Sequence, residues 1–260
     1  MYTTFELIIV LPCYNESKRI QLNKYHHFIK NNPKVMLCFV NDGSTDVTMN
    51  YLKFLNSNHP TQSHIIDLKD NRGKAEAVKM GIISCLETFM FKNIAYLDAD
   101  LSTSLEECWT ISNQLTSNVT FAFGSRIAKL DASIDRKKYR FIIGRCLATL
   151  ISKQLNLKVY DTQCGCKIFE RSLAAQLFKE KFVSKWLFDV ELFHRLLFLY
   201  GKDKLVEKVK EVPLNSWIDT PDSKVPLTYF FKLWIDLILI KYTYKVPAQS
   251  SEIKNEAVYE

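Results

Sequence analysis

Apolar residues in the first half of the chain fall in short runs separated by polar stretches. Phe5 to Leu11, Val35 to Val40, His64 to Leu68, Asn93 to Leu97 and Val119 to Phe123 are such runs. Runs of this kind suit strands buried on both faces of a parallel sheet. Between them the apolar positions recur at helical spacing, over Asn15 to Lys30, Thr48 to Asn56, Ala75 to Phe91 and Leu105 to Leu115. Asn15 is expected to cap the first helix, and Ser44 or Thr45 the second. Regular alternation of strand and helix predicts an α/β fold, mostly parallel, with helices on both faces of the sheet. The second half differs. Asp135 to Leu155 reads as a basic amphipathic helix, Asp161 to Lys167 as a polar turn, and Arg171 to Phe178 as a short helix. Trp186 to Tyr200 reads as a further helix, Lys204 to Val212 as an edge strand, and Pro226 to Tyr244 as an aromatic helix. With no repeat and no linker, one domain is expected over 1–247, with halves at 1–126 and 127–247. A polar, disordered tail is expected at 248–260.

Composition narrows this. Of 260 residues, 47% are hydrophobic and 13% aromatic, enough for a large core and unlike a disordered chain. The net charge of +7 fits anionic partners, and equally a Lys-rich solvated surface. Basic residues form no continuous stripe outside 136–145, which argues against nucleic acid. The seven cysteines are odd in number and scattered, as expected of buried free thiols in a reducing compartment. Cys164-Gly165-Cys166 is too tight and too isolated for a zinc site. No signal peptide is visible, and no run reaches the roughly 18 apolar residues of a spanning helix. The expectation is a soluble or peripheral protein of the cytoplasm, or of the cytoplasmic face of a membrane. No Gly-x-Gly-x-x-Gly follows the first strand and no Gly-Lys-Ser/Thr loop occurs, which disfavours a dinucleotide fold and a P-loop.

The candidate chemistry gathers at strand ends. Asp98-Ala99-Asp100 follows the fourth apolar run. Two carboxylates at the carboxyl edge of a sheet can share one Mg²⁺ or Mn²⁺, which takes further ligands from substrate phosphates and water. The same tripeptide is also a common acidic loop. Asn41-Asp42-Gly43-Ser44-Thr45-Asp46 is an ordinary turn, or a place where a carboxylate meets a base or ribose. Asn71-Arg72-Gly73-Lys74 at a helix start is a solvated turn, or two cations and free N–H groups for a diphosphate. Trp186-Leu187-Phe188-Asp189-Val190-Glu191 is a dipole-matched helix start, or an aromatic and acidic grip on a sugar. Arg126, with Arg140 or Arg145, lies on a basic outer face or binds an anionic acceptor.

Pro12-Cys13-Tyr14-Asn15-Glu16, Asn41 to Asp46, Asn71 to Lys74, Asp98 to Asp100 and Gly124-Ser125-Arg126, in this order, resemble the family 2 glycosyltransferases of GT-A fold. Asp161 to Phe169, Trp186 to Glu191, Glu211-Val212-Pro213 with Trp217, and Ser223-Lys224-Val225-Pro226 look like the dolichyl-phosphate glucosyl- and mannosyltransferase branch, the glucosyl type more closely. Where that branch has Gly-Phe-Lys, this chain has Gly165-Cys166-Lys167. The membrane anchor that the eukaryotic glucosyl enzymes carry is not expected before Phe5. The resemblance implies that Pro12, Tyr14, Glu16 and Asp42 line base and ribose, and that Arg72 and Lys74 lie near the diphosphate. It implies that Asp98 and Asp100 hold Mg²⁺ or Mn²⁺, and that Gln163, Asp189 and Glu191 surround the sugar. Arg126, with Arg140 or Arg145, would bind the acceptor phosphate. Asp189, Asp100 and Arg126 would form the catalytic set.

The implied reaction is an inverting transfer of a hexose, glucose favoured, from a nucleotide sugar, UDP favoured, to a polyprenyl phosphate. The alternative acceptor is a sugar or glycolipid hydroxyl in surface polysaccharide or lipopolysaccharide synthesis. Asp189 would then be the base. A non-catalytic nucleotide-sugar-binding module is a third reading. The aromatic stretch Tyr229 to Ile240 is too short to span a membrane. It either closes the domain or lies in a membrane interface.

Overall fold

The structure is a computed structural model that describes residues 4–127, 133–135, 138–218 and 229–244, without the side chains of 133–135, 138–143 and 229–232. In chain order the first half runs β1 (Thr4–Cys13), α1 (Leu22–Asn31), β2 (Val35–Asp42), α2 (Thr48–Asn58), β3 (Ser63–Leu68), α3 (Lys74–Thr88), β4 (Met90–Leu97), α4 (Leu105–Ser112) and β5 (Phe121–Ser125). The second half runs β6 (Ser133–Asp135), α5 (Lys138–Leu155), β7 (Cys166–Glu170), α6 (Arg171–Leu177), α7 (Phe188–Lys208), β8 (Val209–Pro213), β9 (Ser216–Ile218) and α8 (Tyr229–Thr243).

Seven strands form one sheet in the order β3-β2-β1-β4-β7-β5-β8. All pair in parallel except β7, which lies antiparallel between β4 and β5. Period-two alternation sends side chains to two cores. Ile8, Val10, Met36 and Val40 meet Val78 and Ile82 of α3 on one face. Leu7, Ile9, Leu37 and Phe39 meet Tyr25 and Phe28 of α1 and Leu52 of α2 on the other. All seven cysteines are free, and only Cys146 is exposed.

The helix starts differ from expectation. Asn15 does not cap α1. Its φ is 51°, and its side-chain oxygen accepts from Thr45 N at 2.8 Å, which ties the loop after β1 to the loop after β2. Neither Ser44 nor Thr45 caps α2. Asp46 Oδ1 accepts from Thr48 N at 2.9 Å instead. Bonds from Ser17 and Thr48 outweigh partial desolvation and lower the Asp46 carboxyl to about 2. The second half departs further. Cys166 to Glu170 is a central strand and not the end of a polar turn. Helix α7 continues through Lys208, broken at Gly201, whose φ is 69°. Of the predicted edge strand Lys204 to Val212 only Val209 to Val212 is extended, and the strand runs on to Pro213 and closes the sheet's edge. Arg136, Lys137, Ser223 to Pro226 and the tail 248–260 lie outside the described residues.

Candidate active site

Strand β4 delivers its acidic pair to the carboxyl edge of the sheet. Asp98 N donates to Gly165 O at 3.0 Å, so the first residue past β4 is still held by the turn before β7. Leu101 closes the loop with φ 54° and an N–H bond to Asp98 O. Three residues of the first βα unit grip this loop from below. Tyr25 OH donates to Ala99 O at 2.7 Å, and Gln21 Nε2 donates to Asp100 O at 3.1 Å. Arg19 lies 3.6 Å from Asp100 Oδ2 and 2.5 Å from Glu16 Oε1. No local pattern marks these three residues. Gly165 has a second role, since a Cβ there would overlap the Asp98 carboxylate. That close approach explains the glycine in Cys164-Gly165-Cys166.

On the nucleotide side, Pro12 pairs with Val40 near the end of β1, and Tyr14 follows half-buried. Glu16 is buried, with its N–H on Thr48 Oγ1 at 2.7 Å. Asp42 turns both oxygens on backbone. Oδ1 accepts from Arg72 N at 2.8 Å, and Oδ2 accepts from Gly73 N at 2.9 Å. It thereby fixes the start of α3, leaving the Arg72 side chain exposed. Lys74, first in α3, reaches Asp98 Oδ1 at 2.5 Å. Desolvation alone would lower the Lys74 ammonium. Asp98 and Asp189 outweigh it and raise the group. Lost hydration raises the Asp98 carboxyl, with Lys74 opposing, although its side chain keeps 38% of its surface.

Beneath this edge lies a second ion pair. Lys167 is 0% exposed. Its Nζ stands 2.6 Å from Asp189 Oδ1 and donates to Cys164 O at 2.7 Å. Tyr96 OH donates to the same Asp189 oxygen. Burial first, then Asp189, raises the Tyr96 phenol well above its usual value. Lys74 and Lys167 lie 5.9 and 5.4 Å from the Tyr96 ring centre. The sequence pattern gave Lys167 no separate role.

Two expected ligands do other work. Glu191 is 0% exposed and accepts from Ser184 N at 2.7 Å and Val183 N at 2.9 Å. A sugar cannot touch it, so its place among the sugar-binding residues is corrected. It fixes the loop before α7. Arg126 spends its fork on Asp161, Nε to Oδ2 at 2.6 Å and an NH2 bond to Oδ1 at 2.8 Å. Asp161 outweighs desolvation and raises the guanidinium, while Arg126 lowers the Asp161 carboxyl in return. That fork is engaged by Asp161 in this structure, so an acceptor phosphate at Arg126 would have to share or displace that partner. Arg145 converges on the same turn. Its NH1 donates to Tyr160 O at 2.7 Å, and its guanidinium stacks 3.7 Å from the Tyr160 ring centre. Glu211 accepts from Tyr160 N and Asp161 N, at 3.0 and 2.8 Å. Gln163 carries a buried Nε2 with no partner. The side chain of Arg140 lies outside the described residues.

Among the described residues no cluster of three or more His, Cys, Asp or Glu could hold a metal. Asp98 and Asp100 supply hard oxygens alone. Such a donor set fits Mg²⁺ or Mn²⁺, which bind through one or two carboxylates and complete their shell with phosphate and water.

The glycosyl transferase family 2 model matches residues 8–178. A dolichyl-phosphate beta-glucosyltransferase of Trichomonas vaginalis is 32% identical over 92% of this chain and 71% of its own length. The Drosophila melanogaster enzyme of that name is 29% identical over 94% and 77%. Glucosyl-3-phosphoglycerate synthase from Mycobacterium tuberculosis, crystallised with Mn²⁺, UDP and glucosyl-3-phosphoglycerate, superposes with a TM-score of 0.63 at 14% identity, covering 94% of this chain and 82% of that one. The likeness establishes a GT-A fold. The chain belongs to glycosyl transferase family 2 and, within it, resembles the dolichyl-phosphate beta-glucosyltransferases along most of its length.

Proposed function

We propose that this glycosyltransferase moves glucose from a nucleotide sugar, UDP-glucose first among them, to a polyprenyl phosphate, in one inverting displacement that needs Mg²⁺ or Mn²⁺. The observation that carries the reading is the carboxylate pair at the end of β4, facing the cationic start of α3 across one sheet edge. Residues 1–126 then form the donor half and 127–247 the acceptor half. Pro12, Tyr14, Glu16 and Asp42 would line base and ribose, Asp42 also holding the turn before α3 through the Arg72 and Gly73 N–H groups. Arg72 and Lys74 would neutralise the diphosphate. Asp98 and Asp100 would hold the metal, whose charge stabilises the departing nucleoside diphosphate. Gln163 Nε2, buried and without a partner here, would donate to a sugar oxygen only if the turn before β7 opens to the donor.

The state of Asp189 favours a phosphate acceptor over a hydroxyl. A base must reach the proton it removes. Asp189 is 4% exposed, and one oxygen already accepts from Lys167 and Tyr96. A polyprenyl phosphate is anionic near neutral pH and needs positioning more than a base. Arg145, with Arg140, remains the candidate for its phosphate. The names of the relatives support the same acceptor. The test is turnover of UDP-glucose and GDP-mannose with Mn²⁺ on a short polyprenyl phosphate and on soluble sugars. Glucosyl lipid is the expected product. Transfer to the sugars alone would overturn the acceptor assignment.

A lipid acceptor calls for contact with a membrane surface. Helix α8 buries Leu233, Leu237 and Ile240, and Ser184 Oγ donates to Asp236 Oδ2 at 2.6 Å, so one face closes the domain. The opposite face leaves Trp234, Ile235, Ile238, Leu239 and Tyr242 about half exposed. Lys241 on the same helix is exposed, as are Lys181 and Lys185 in the loop whose Ser184 bonds to Asp236. No helix among the described residues is long and apolar enough to cross a membrane. An aromatic and apolar face with basic neighbours suits the interface of anionic lipid, here the cytoplasmic face. Each isoleucine moved into lipid is worth about 1.5–3 kcal/mol. Ile235→Glu with Ile238→Glu should therefore weaken sedimentation with anionic vesicles more than about 10-fold. Unchanged sedimentation would rule out this face.

A further inference from the structure

Lys74 and a metal ion compete for the same oxygen. The Lys74 ammonium stands 2.5 Å from Asp98 Oδ1. A Mg²⁺ ligand oxygen lies about 2.0–2.1 Å from its ion. A dication on the same oxygen would stand close to that ammonium, and the two like charges would repel. Asp98 has little freedom to turn away. Its N–H is held by Gly165 O, and the Gly165 backbone packs against the carboxylate where a Cβ would not fit.

Lys74 has somewhere to go. It opens α3 two residues after the exposed Arg72, and in the proposed function these two cations receive the diphosphate, the Arg72 and Gly73 N–H groups being held by Asp42. We infer that Lys74 is a resident cation that keeps the carboxylate loop closed to metal until a nucleoside diphosphate arrives and takes the ammonium over. This rests on the metal and diphosphate assignments of the proposed function. It adds that Lys74 makes metal binding conditional on nucleotide.

The energetic reason is an exchange of partners. A metal arriving alone must strip Asp98 from Lys74 and leave the ammonium without its anion. With a diphosphate present the ammonium gains a new anion as it leaves, and the metal gains phosphate oxygens. Binding of each ligand then strengthens binding of the other by the same factor. An idle Asp98 meanwhile never stands as an uncompensated charge in a partly desolvated recess.

The test is Mn²⁺ titration followed by loss of the free-ion EPR signal, with and without saturating UDP. It uses the wild-type chain, Lys74→Met and Arg72→Met. Arg72→Met removes a neighbouring charge that has no pairing with Asp98, and so controls for the bulk field. Lys74→Met is expected to bind Mn²⁺ alone about 10-fold more tightly than wild type, within the usual range of such couplings. Arg72→Met should change that affinity less than about 3-fold, as a screened exposed charge would. With UDP the Lys74→Met advantage should vanish. Lys74→Gln serves if the methionine variant melts early. Equal Mn²⁺ affinity of Lys74→Met and wild type without UDP would overturn the exchange and leave the metal assignment standing. No Mn²⁺ bound by any variant, even where UDP binds, would overturn both.

Discussion

Asp98→Asn is expected to lower kcat/KM for sugar transfer by about 1,000-fold or more, a loss of about 4 kcal/mol of transition-state stabilisation. The substitution keeps shape and removes the charge that would hold a divalent ion against the leaving diphosphate. A bound metal supplies several kcal/mol there. Stability should fall by less than about 1 kcal/mol, because the carboxylate is part-exposed and its ion pair with Lys74 is also part-exposed. Asp100→Asn should behave alike, since an amide oxygen can still accept from Ser102 N, as Asp100 Oδ1 does at 3.0 Å. The measurement is kcat/KM at saturating Mn²⁺ beside the melting temperature. Activity within about 3-fold of wild type in both variants would sink the metal role and most of the functional reading with it.

Why these two residues were legible in the sequence, and their supports were not, follows from range. Asp98-Ala99-Asp100 shows itself because a buried strand ends and two acids follow at once. Tyr25, Gln21 and Arg19 hold that loop across 70 and more residues, and nothing in their own neighbourhood announces it. Gly165 looks like turn material until the Asp98 carboxylate is seen against its α-carbon. The parallel half of the sheet is legible because β1, β2 and β4 each carry an unbroken buried apolar stretch, Leu7 to Leu11, Val35 to Val40 and Ile94 to Leu97. Strand β7 is just as buried, but Lys167 interrupts its apolar run. A charge at its second position reads as surface and stands in the interior only because Asp189 lies opposite. Glu191 and Arg126 show the converse. Acids beside aromatics and an arginine after a strand end suit ligands, but backbone N–H groups and Asp161 claim them first. Such pairings depend on which distant loops meet.

Lys167→Met should cost about 3–5 kcal/mol of stability, the usual penalty for removing one partner of a buried ion pair. Asp189, 4% exposed, would be left with the Tyr96 hydroxyl as its remaining described donor. Adding Asp189→Asn should return part of the loss, because the amide removes the stranded charge and still accepts from Tyr96. Urea midpoints of the two single variants and the double variant give the coupling directly, and additive losses would rule the pair out as a unit. The result bears on the site as well as the fold. From core to sheet edge the charges alternate as Lys167, Asp189, Lys74 and Asp98, with the two ammonium groups 5.4 and 5.9 Å from the Tyr96 ring centre. Lys74 is held by attraction from both carboxylates. A double variant that loses the Asp189 charge should hold Lys74 less firmly against Asp98. Its Mn²⁺ affinity without nucleotide should therefore shift, although no group that touches the ion has changed. A core that is repacked but electrically silent toward the edge would leave that affinity where it was.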